Sequence, residues 1–343
     1  MGVLNLVIDI NRVTKTYKIK QKEDSLKGVV KGFFKKRYRN IDAVKNLSLT
    51  IDKGEILGYL GVNGAGKSTT IKMLTGILVP TEGEVSVLGI NPYKYRKEIA
   101  KKIGVVFGQR SQLIWDIPPI DTFDLFSRIY EIPRKQYKDT LNYIVDQMEI
   151  KNLLDIPVRK LSLGQRMCCE IVASLLHNPE ILFLDEPTIG LDILNKEKIR
   201  DFIRKVNEDY KTTVLLTTHD LGDVEKLCSR ILIIDKGSSV YNGSLENIKD
   251  ELGSMNTLKI EFSYEIETVY PNYPDIECWT DNNTKSLYIK YDKKRYATPD
   301  LINYVIGRTN NIKDISIIEQ GIEDVVKKIY QGNNRGDKID VKG

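Results

Sequence analysis

The run Gly61-Val62-Asn63-Gly64-Ala65-Gly66-Lys67-Ser68-Thr69 carries the residue types that hold a polyphosphate: glycines that let backbone N–H groups converge on an anion, one lysine and paired hydroxyls. Asn63, Gly64, Ala65, Gly66 and Thr69 would form the cradle, Lys67 would reach the terminal phosphates, and the Ser68 hydroxyl can ligate a magnesium ion. The apolar run 56–60 precedes this turn and a helix-forming segment follows it, the strand, turn and helix N-terminus that such a loop needs. A second element, Ile181-Leu182-Phe183-Leu184-Asp185-Glu186, is an apolar strand ending in two carboxylates. Taken alone, an acidic strand tip also fits a solvated strand end. Beside a phosphate loop, Asp185 reads as the group that holds magnesium through water, and Glu186 as the base for the water attacking a γ-phosphate.

These groups must be placed by strands and helices, and the chain alternates between the two. Strand-like runs occur at 4–10, 47–51, 56–60, 84–88, 104–107, 181–184, 213–217 and 230–234, with helix-length segments at 68–75, 167–176 and 193–209. The alternation predicts an α/β domain with a mostly parallel, mixed sheet core, whose ligands sit at the carboxyl ends of strands. Residues 118–165 break the alternation and read as helical, with Leu141, Ile144, Val145, Met148 and Leu153 spaced for one apolar face. They predict a helical insertion within about 110–170. Beyond residue 243, strand-like runs (258–262, 286–291, 315–318) and helix-like runs (299–307, 322–330) predict a small α+β domain. The expected organisation is a nucleotide-binding domain over 1–245, an accessory domain over 246–331 and a polar, disordered tail over 332–343.

A chain of 343 residues has room for one large domain and one small one. No run approaches the roughly 18 apolar residues that span a bilayer, and the first ten residues lack the flanks of a secretory signal, which points to the cytoplasm. Cys168, Cys169, Cys228 and Cys278 form no CxxC pair, and the adjacent pair reads as small buried residues on a helix. The net charge of +5 gives no case for a nucleic-acid partner. Charge is concentrated in one insertion, residues 18–40, where nine Lys or Arg face two acids. It is either a solvated loop or a contact for anionic lipid head groups or a membrane subunit, with Phe33 and Phe34 among the charges.

Between the loop and the acidic strand tip lies Leu161-Ser162-Leu163-Gly164-Gln165-Arg166, and after them Thr217-Thr218-His219-Asp220. In this order the motifs resemble the nucleotide-binding subunit of an ATP-binding cassette transporter, over roughly residues 6–244. The resemblance implies ATP and Mg²⁺ as ligands and assigns further roles. Tyr17 would stack on adenine, Gln109 would touch magnesium or the attacking water, and His219 would be the switch on the γ-phosphate. Ser162 and Gly164, with Gln165, match the signature that meets the γ-phosphate of a second copy, although Leu163 replaces the commoner glycine. Gly190-Leu191-Asp192 matches the loop between the two sites, with Ile189 in place of the frequent serine. His177, after the helix, reads as a cap.

The resemblance further implies a head-to-tail homodimer enclosing two ATP molecules, working with separate integral-membrane permease subunits at the inner face of the plasma membrane. Within the family, the run 107–116 and the basic insertion are similar to a bacterial branch named for viologen and drug export. Energy subunits of importers share the same motifs and stand as the alternative. Soluble translation and DNA-repair cassettes fit less well, since one phosphate loop is visible and neither heptads nor CxxC pairs appear.

Overall fold

The computed structural model describes residues 6–20, 38–108, 110–252, 254–266, 271 and 273–335. They fall into two compact units, Met1–Asn242 and Gly243–Gly343.

In the first unit, β1 (Leu6–Lys20) lies between β2 (Tyr38–Asp52) and β4 (Glu82–Val87) in an antiparallel sheet. Six further strands form a second sheet in the order β5-β6-β7-β3-β8-β9: β3 (Ile56–Gly61), β5 (Ile103–Phe107), β6 (Ile181–Asp185), β7 (Thr213–Thr218), β8 (Arg230–Asp235) and β9 (Ser238–Ser244). All the pairings among β5, β6, β7, β3 and β8 are parallel. Their near-continuous apolar sequences follow from burial on both faces; β3 and β7 are buried at every position. The three-stranded sheet instead alternates, with Ile8, Ile10, Leu49, Ile51, Val85 and Val87 turned inward.

Helix Lys67–Leu74 contacts β2, β3, β4 and β6, so that Ile71, Met73 and Leu74 join one core with residues of both sheets. The helix that the phosphate loop opens is thus anchored by the apolar burial of Ile71, Met73 and Leu74. Polar side chains support it: Tyr59 Oη lies 3.0 Å from Thr70 Oγ1 inside this core, and burial pushes the tyrosine hydroxyl well above its ordinary range.

The region read as helical is broken into helices Pro119–Ile129 and Arg134–Gln147 and two short turns, Lys151–Leu153 and Val158–Lys160, before helix Leu163–Leu175. Pro118 and Pro133 precede the first two helices, and Glu149 at φ 46 ends the second one's path. Leu141, Ile144, Val145, Met148 and Leu153 are all buried, although the last two lie beyond the helix. Helix Ile193–Tyr210 and helix Leu221–Leu227 complete the unit around the parallel sheet, with short helix Arg96–Ala100 before β5.

The ends of the basic insertion are paired, not looped. Lys18, Ile19 and Lys20 on β1 register with Asn40, Arg39 and Tyr38 on β2, and residues 21–37 lie outside the described residues.

The second unit holds β10 (Met255–Phe262), β11 (Glu277–Asp281), β12 (Ser286–Asp292) and β13 (Ile312–Glu319) in the order β11-β12-β10-β13, with antiparallel pairings. Leu258, Ile260, Leu287, Ile289 and Tyr291 pack with Leu301 and Val305 of helix Thr298–Ile306. Helices Leu245–Leu252 and Ile322–Arg335 belong to this unit as well. The last helix takes in residues 332–335, which the sequence reading assigned to a disordered tail; two of its turns carry Ile322, Val325, Val326 and Ile329 into burial, and that stripe holds the helix.

Candidate functional site

The phosphate loop folds as a strand-to-helix turn. Gly66 is the N-cap of helix Lys67–Leu74 at φ 113, and a Cβ there would stand 2.4 Å from the Ala43 carbonyl oxygen. Only glycine fits that conformation and that approach. Lys67, 6% exposed, donates from Nζ to the Gly61 carbonyl at 2.6 Å, which bends its side chain back over the loop. The same Nζ is 3.4 Å from Glu186 Oε1.

Glu186 stands at the tip of β6 with φ 55, a left-handed backbone that costs a non-glycine residue on the order of 1 kcal/mol or more. Two bonds hold it there: its N–H donates to the Thr217 carbonyl at 2.9 Å and lies 3.2 Å from Thr217 Oγ1. The hydroxyl of Thr217 donates to Asp185 Oδ1 at 2.6 Å. From the end of β7, His219 Nδ1 approaches Glu186 Oε2 to 3.3 Å. The Glu186 carboxylate therefore sits between Lys67 and His219, three groups from three separate strand ends.

Beside them opens a cavity of about 460 Å³ lined by Asn63, Lys67, Ser68, Lys72, Phe107, Gly108, Arg110, Asp185, Glu186 and Ile189. Lys72 and Arg110 were not foreseen. Lys72 is four residues beyond Ser68 on one helix, a spacing that puts both on one face. Arg110 is returned to the strand end by the bridge it makes with Phe107. Gln109 lies outside the described residues. The turn after it is fixed by Glu170, which is buried and accepts from Ser111 Oγ and, at 3.1 Å, from the Gln112 N–H. Burial pushes the Glu170 carboxyl up, and the bonds from Ser111 and Gln112 act against it.

Ser162, Gly164 and Gln165 are absent from the lining of this cavity. They form the start of helix Leu163–Leu175, where Ser162 Oγ accepts from the Gln165 N–H at 3.2 Å and Gln165 Oε1 accepts from the Ser162 N–H at 2.9 Å, a reciprocal capping box. A Cβ on Gly164 would meet Asn195 at 2.7 Å. Asn195 is in turn held by Asp192, the cap of helix Ile193–Tyr210, at 2.9 Å and 2.6 Å, and those bonds keep the Asp192 carboxyl below its ordinary range. Leu163 reaches toward Gly190, whose added Cβ would lie 3.1 Å from Leu163 Cδ2. The larger residue at 163 is thus met by a glycine at 190.

Tyr17 is on β1, paired with Ile41 and 37% exposed, with Lys15 Nζ 5.6 Å from its ring centroid. The strand pair bearing it runs past the loop, since Ala43, two residues from Ile41, packs on Gly66. Tyr17 does not line the cavity. His177 does not cap the helix before it. That helix ends at Leu175 with Leu176 as its C-cap, while His177 Nε2 lies 2.9 Å from the Ile103 carbonyl and the ring stacks on Tyr130 at 4.2 Å. Cys168, Cys169 and Cys228 are buried, and burial pushes the first two thiols up to about 11 and about 12.

A glycine cradle at a helix N-terminus, with acids at the tip of another parallel strand of the same sheet, defines a nucleotide-binding α/β protein. Residues 44–189 match the family described as ABC transporter. The ABC transporter ATP-binding protein NatA of Bacillus subtilis is 33% identical over 215 residues, covering 63% of this chain and 87% of that protein. Methionine import ATP-binding protein MetN 2 of Enterococcus faecalis is 31% identical over 223 residues, 64% of each chain. An ATP-binding cassette solved as a dimer in a post-hydrolysis state with ADP and Pi is 27% identical, with a TM-score of 0.58, covering 69% of this chain and 98% of that one. The chain belongs to the ATP-binding proteins of ABC transporters.

Proposed function

We propose that this chain hydrolyses ATP as the energy subunit of a membrane exporter, working as a head-to-tail pair of identical copies. The carrying observation is the split between its two half-sites: Glu186 is poised between Lys67 and His219, whereas Ser162 and Gly164 belong to a helix start that does not line the cavity. A second copy that brings its Ser162 and Gly164 to the γ-phosphate would complete the site, since a helix N-terminus offers N–H donors and a favourable dipole to an anion.

In this reading Glu186 takes the proton of the attacking water, His219 holds the γ-phosphate, Lys67 balances its charge, Gln109 would touch magnesium or the attacking water and Tyr17 stacks on the adenine. The donor set fits magnesium: Ser68 and Asp185 are hard oxygen ligands lining the same cavity, and no cluster of three His, Cys, Asp or Glu occurs among the described residues to favour another metal. Ser68 and Asp185 would hold the ion, which when bound supplies charge neutralisation at the transferred phosphoryl group.

Among the described residues no helix is long and apolar enough to cross a membrane, so transport requires separate permease subunits, with this chain peripheral on the inner face of the plasma membrane. The basic segment 18–39 is the part that would meet that surface. The motif 107–116 supports export of the viologen and drug type. The likeness to a methionine import protein supports import as a second reading. We also propose residues 1–245 as the catalytic domain and 246–331 as an accessory one. Glu186→Gln is expected to lower ATP turnover by about 10²-fold or more while leaving nucleotide-dependent pairing intact, as measured by phosphate release and light scattering. Turnover near the wild-type rate would remove Glu186 as the base.

A further inference from the structure

A buried ion pair lies outside the site chemistry. Asp223, in helix Leu221–Leu227, is 0% exposed. Its Oδ1 accepts from Arg200, with Nε at 2.6 Å and Nη2 at 2.5 Å. Its Oδ2 accepts from Thr188 Oγ1 and, at 3.1 Å, from Thr218 Oγ1. All three partners are themselves buried. Both oxygens are therefore filled by donors from three different chain segments.

Those segments are the ones that carry the chemistry. Thr188 is two residues after Glu186, in the turn closed by the Ile189 N–H on the Glu186 carbonyl. Thr218 immediately precedes His219, and its hydroxyl accepts from the Asp220 N–H at 2.9 Å just beyond it. Arg200 comes from helix Ile193–Tyr210, which Asp192 caps, and its Nη2 also lies 3.7 Å from Asp220. Lys196 of the same helix meets Asp220 Oδ2 at 2.5 Å. One carboxylate thus holds threonine side chains next to both partners of the 3.3 Å contact between Glu186 and His219, and joins them to the helix following the Gly190-Leu191-Asp192 loop.

We propose that Asp223 is a positioning residue for hydrolysis: by holding Thr188 and Thr218 on one oxygen, it sets where Glu186 and His219 stand relative to each other, and passes movements of the 190–192 loop to them through Arg200. The idea rests on the hydrolase reading above. A buried carboxylate is a strong tether because its donors have no water to exchange with, so the two threonines move together or lose their partner at a cost.

Replacing Asp223 or Arg200 would strand a buried charge and threaten folding, so the test uses the threonines. Thr188→Val and Thr218→Val each remove one donor and keep the Asp223–Arg200 pair. Each is expected to lower kcat by about tenfold with KM for ATP changed by less than about threefold, because the phosphate loop is untouched. Thr188→Ser, which keeps the hydroxyl, should restore most of the rate. The double valine variant should lose little more than either single one, since both act through one carboxylate. Thermal midpoints measured on the same samples separate positioning from unfolding. Valine variants that turn over within about twofold of the wild type, losses that only track the folded fraction, or a double variant whose loss is the product of the singles would each overturn the proposal. Absence of hydrolysis by the wild-type protein would instead overturn the hydrolase reading, and this inference with it.

Discussion

Glu186 shows how backbone and side chain share a task. Its left-handed φ of 55 is tolerated because two bonds from its N–H lock it onto Thr217, and the turn aims the carboxylate at the cavity. Spacing along the chain made Lys67, Ser68, Asp185 and Glu186 legible, since each sits within a few residues of a strand or helix end that a short motif defines. Thr188, Thr218 and Asp223 were not legible. The hydrogen bond from Thr188 to Asp223 spans 35 residues, and no local pattern marks either partner. His177 likewise looked like a cap because only its helix was visible, whereas its partners, Ile103 and Tyr130, come from elsewhere. Burial pulls the His177 imidazolium below its ordinary range, against the opposing effect of the Ile103 carbonyl. A carbonyl only accepts, so Nε2 carries the proton, and Nδ1 is buried without a hydrogen-bond partner among the described residues. The unfolded chain then takes up a proton near pH 6.5 that the folded chain refuses, so stability is full above that pH and falls as the pH drops below it. The thermal midpoint should decline from pH 8 to pH 5.5, and His177→Gln should reduce that decline. An identical decline in the variant would show that the ring is not its source.

Helix Leu163–Leu175 joins two roles at its first turn. Ser162 closes the capping box and is the residue proposed to face a partner's phosphate, so stability and activity need separate variants. Ser162→Ala should cost about 1 kcal/mol, a few degrees in thermal midpoint, whereas Ser162→Asp keeps a good cap and should cost little. Both should lose turnover, the aspartate through repulsion of the phosphate. A stable but fully active aspartate variant would separate Ser162 from the chemistry. The core of the same region is equally specific: Ile71 is fully buried under the phosphate loop, and Ile71→Ala should cost about 2–5 kcal/mol in denaturant unfolding. The parallel strands were readable because burial on both faces makes them continuously apolar. The edge strands β9 and β11 were not, since Ser238–Ser244 buries only Tyr241 and Glu277–Asp281 buries nothing fully, so neither carries an apolar rhythm. The extension of β1 to Lys20 and the start of β2 at Tyr38 were not readable for a related reason: that part of the ladder is exposed and basic.

The two units differ in what they hold. The first carries every chemical motif, while the second is an antiparallel sheet and helices around an apolar core of its own. The central claim concerns two chains: Glu186 of one copy works with Ser162 of the other. Mixing variants tests it directly. Glu186→Gln and Ser162→Asp should each be inactive alone, but a mixed pair holds one site with both groups intact. With random pairing, half the dimers are mixed and each has one of two sites restored, so ATP turnover should return to about a quarter of the wild-type rate. A mixture as inactive as its components, beside an active wild-type protein, would mean that the site is completed within a single chain and would contradict the account.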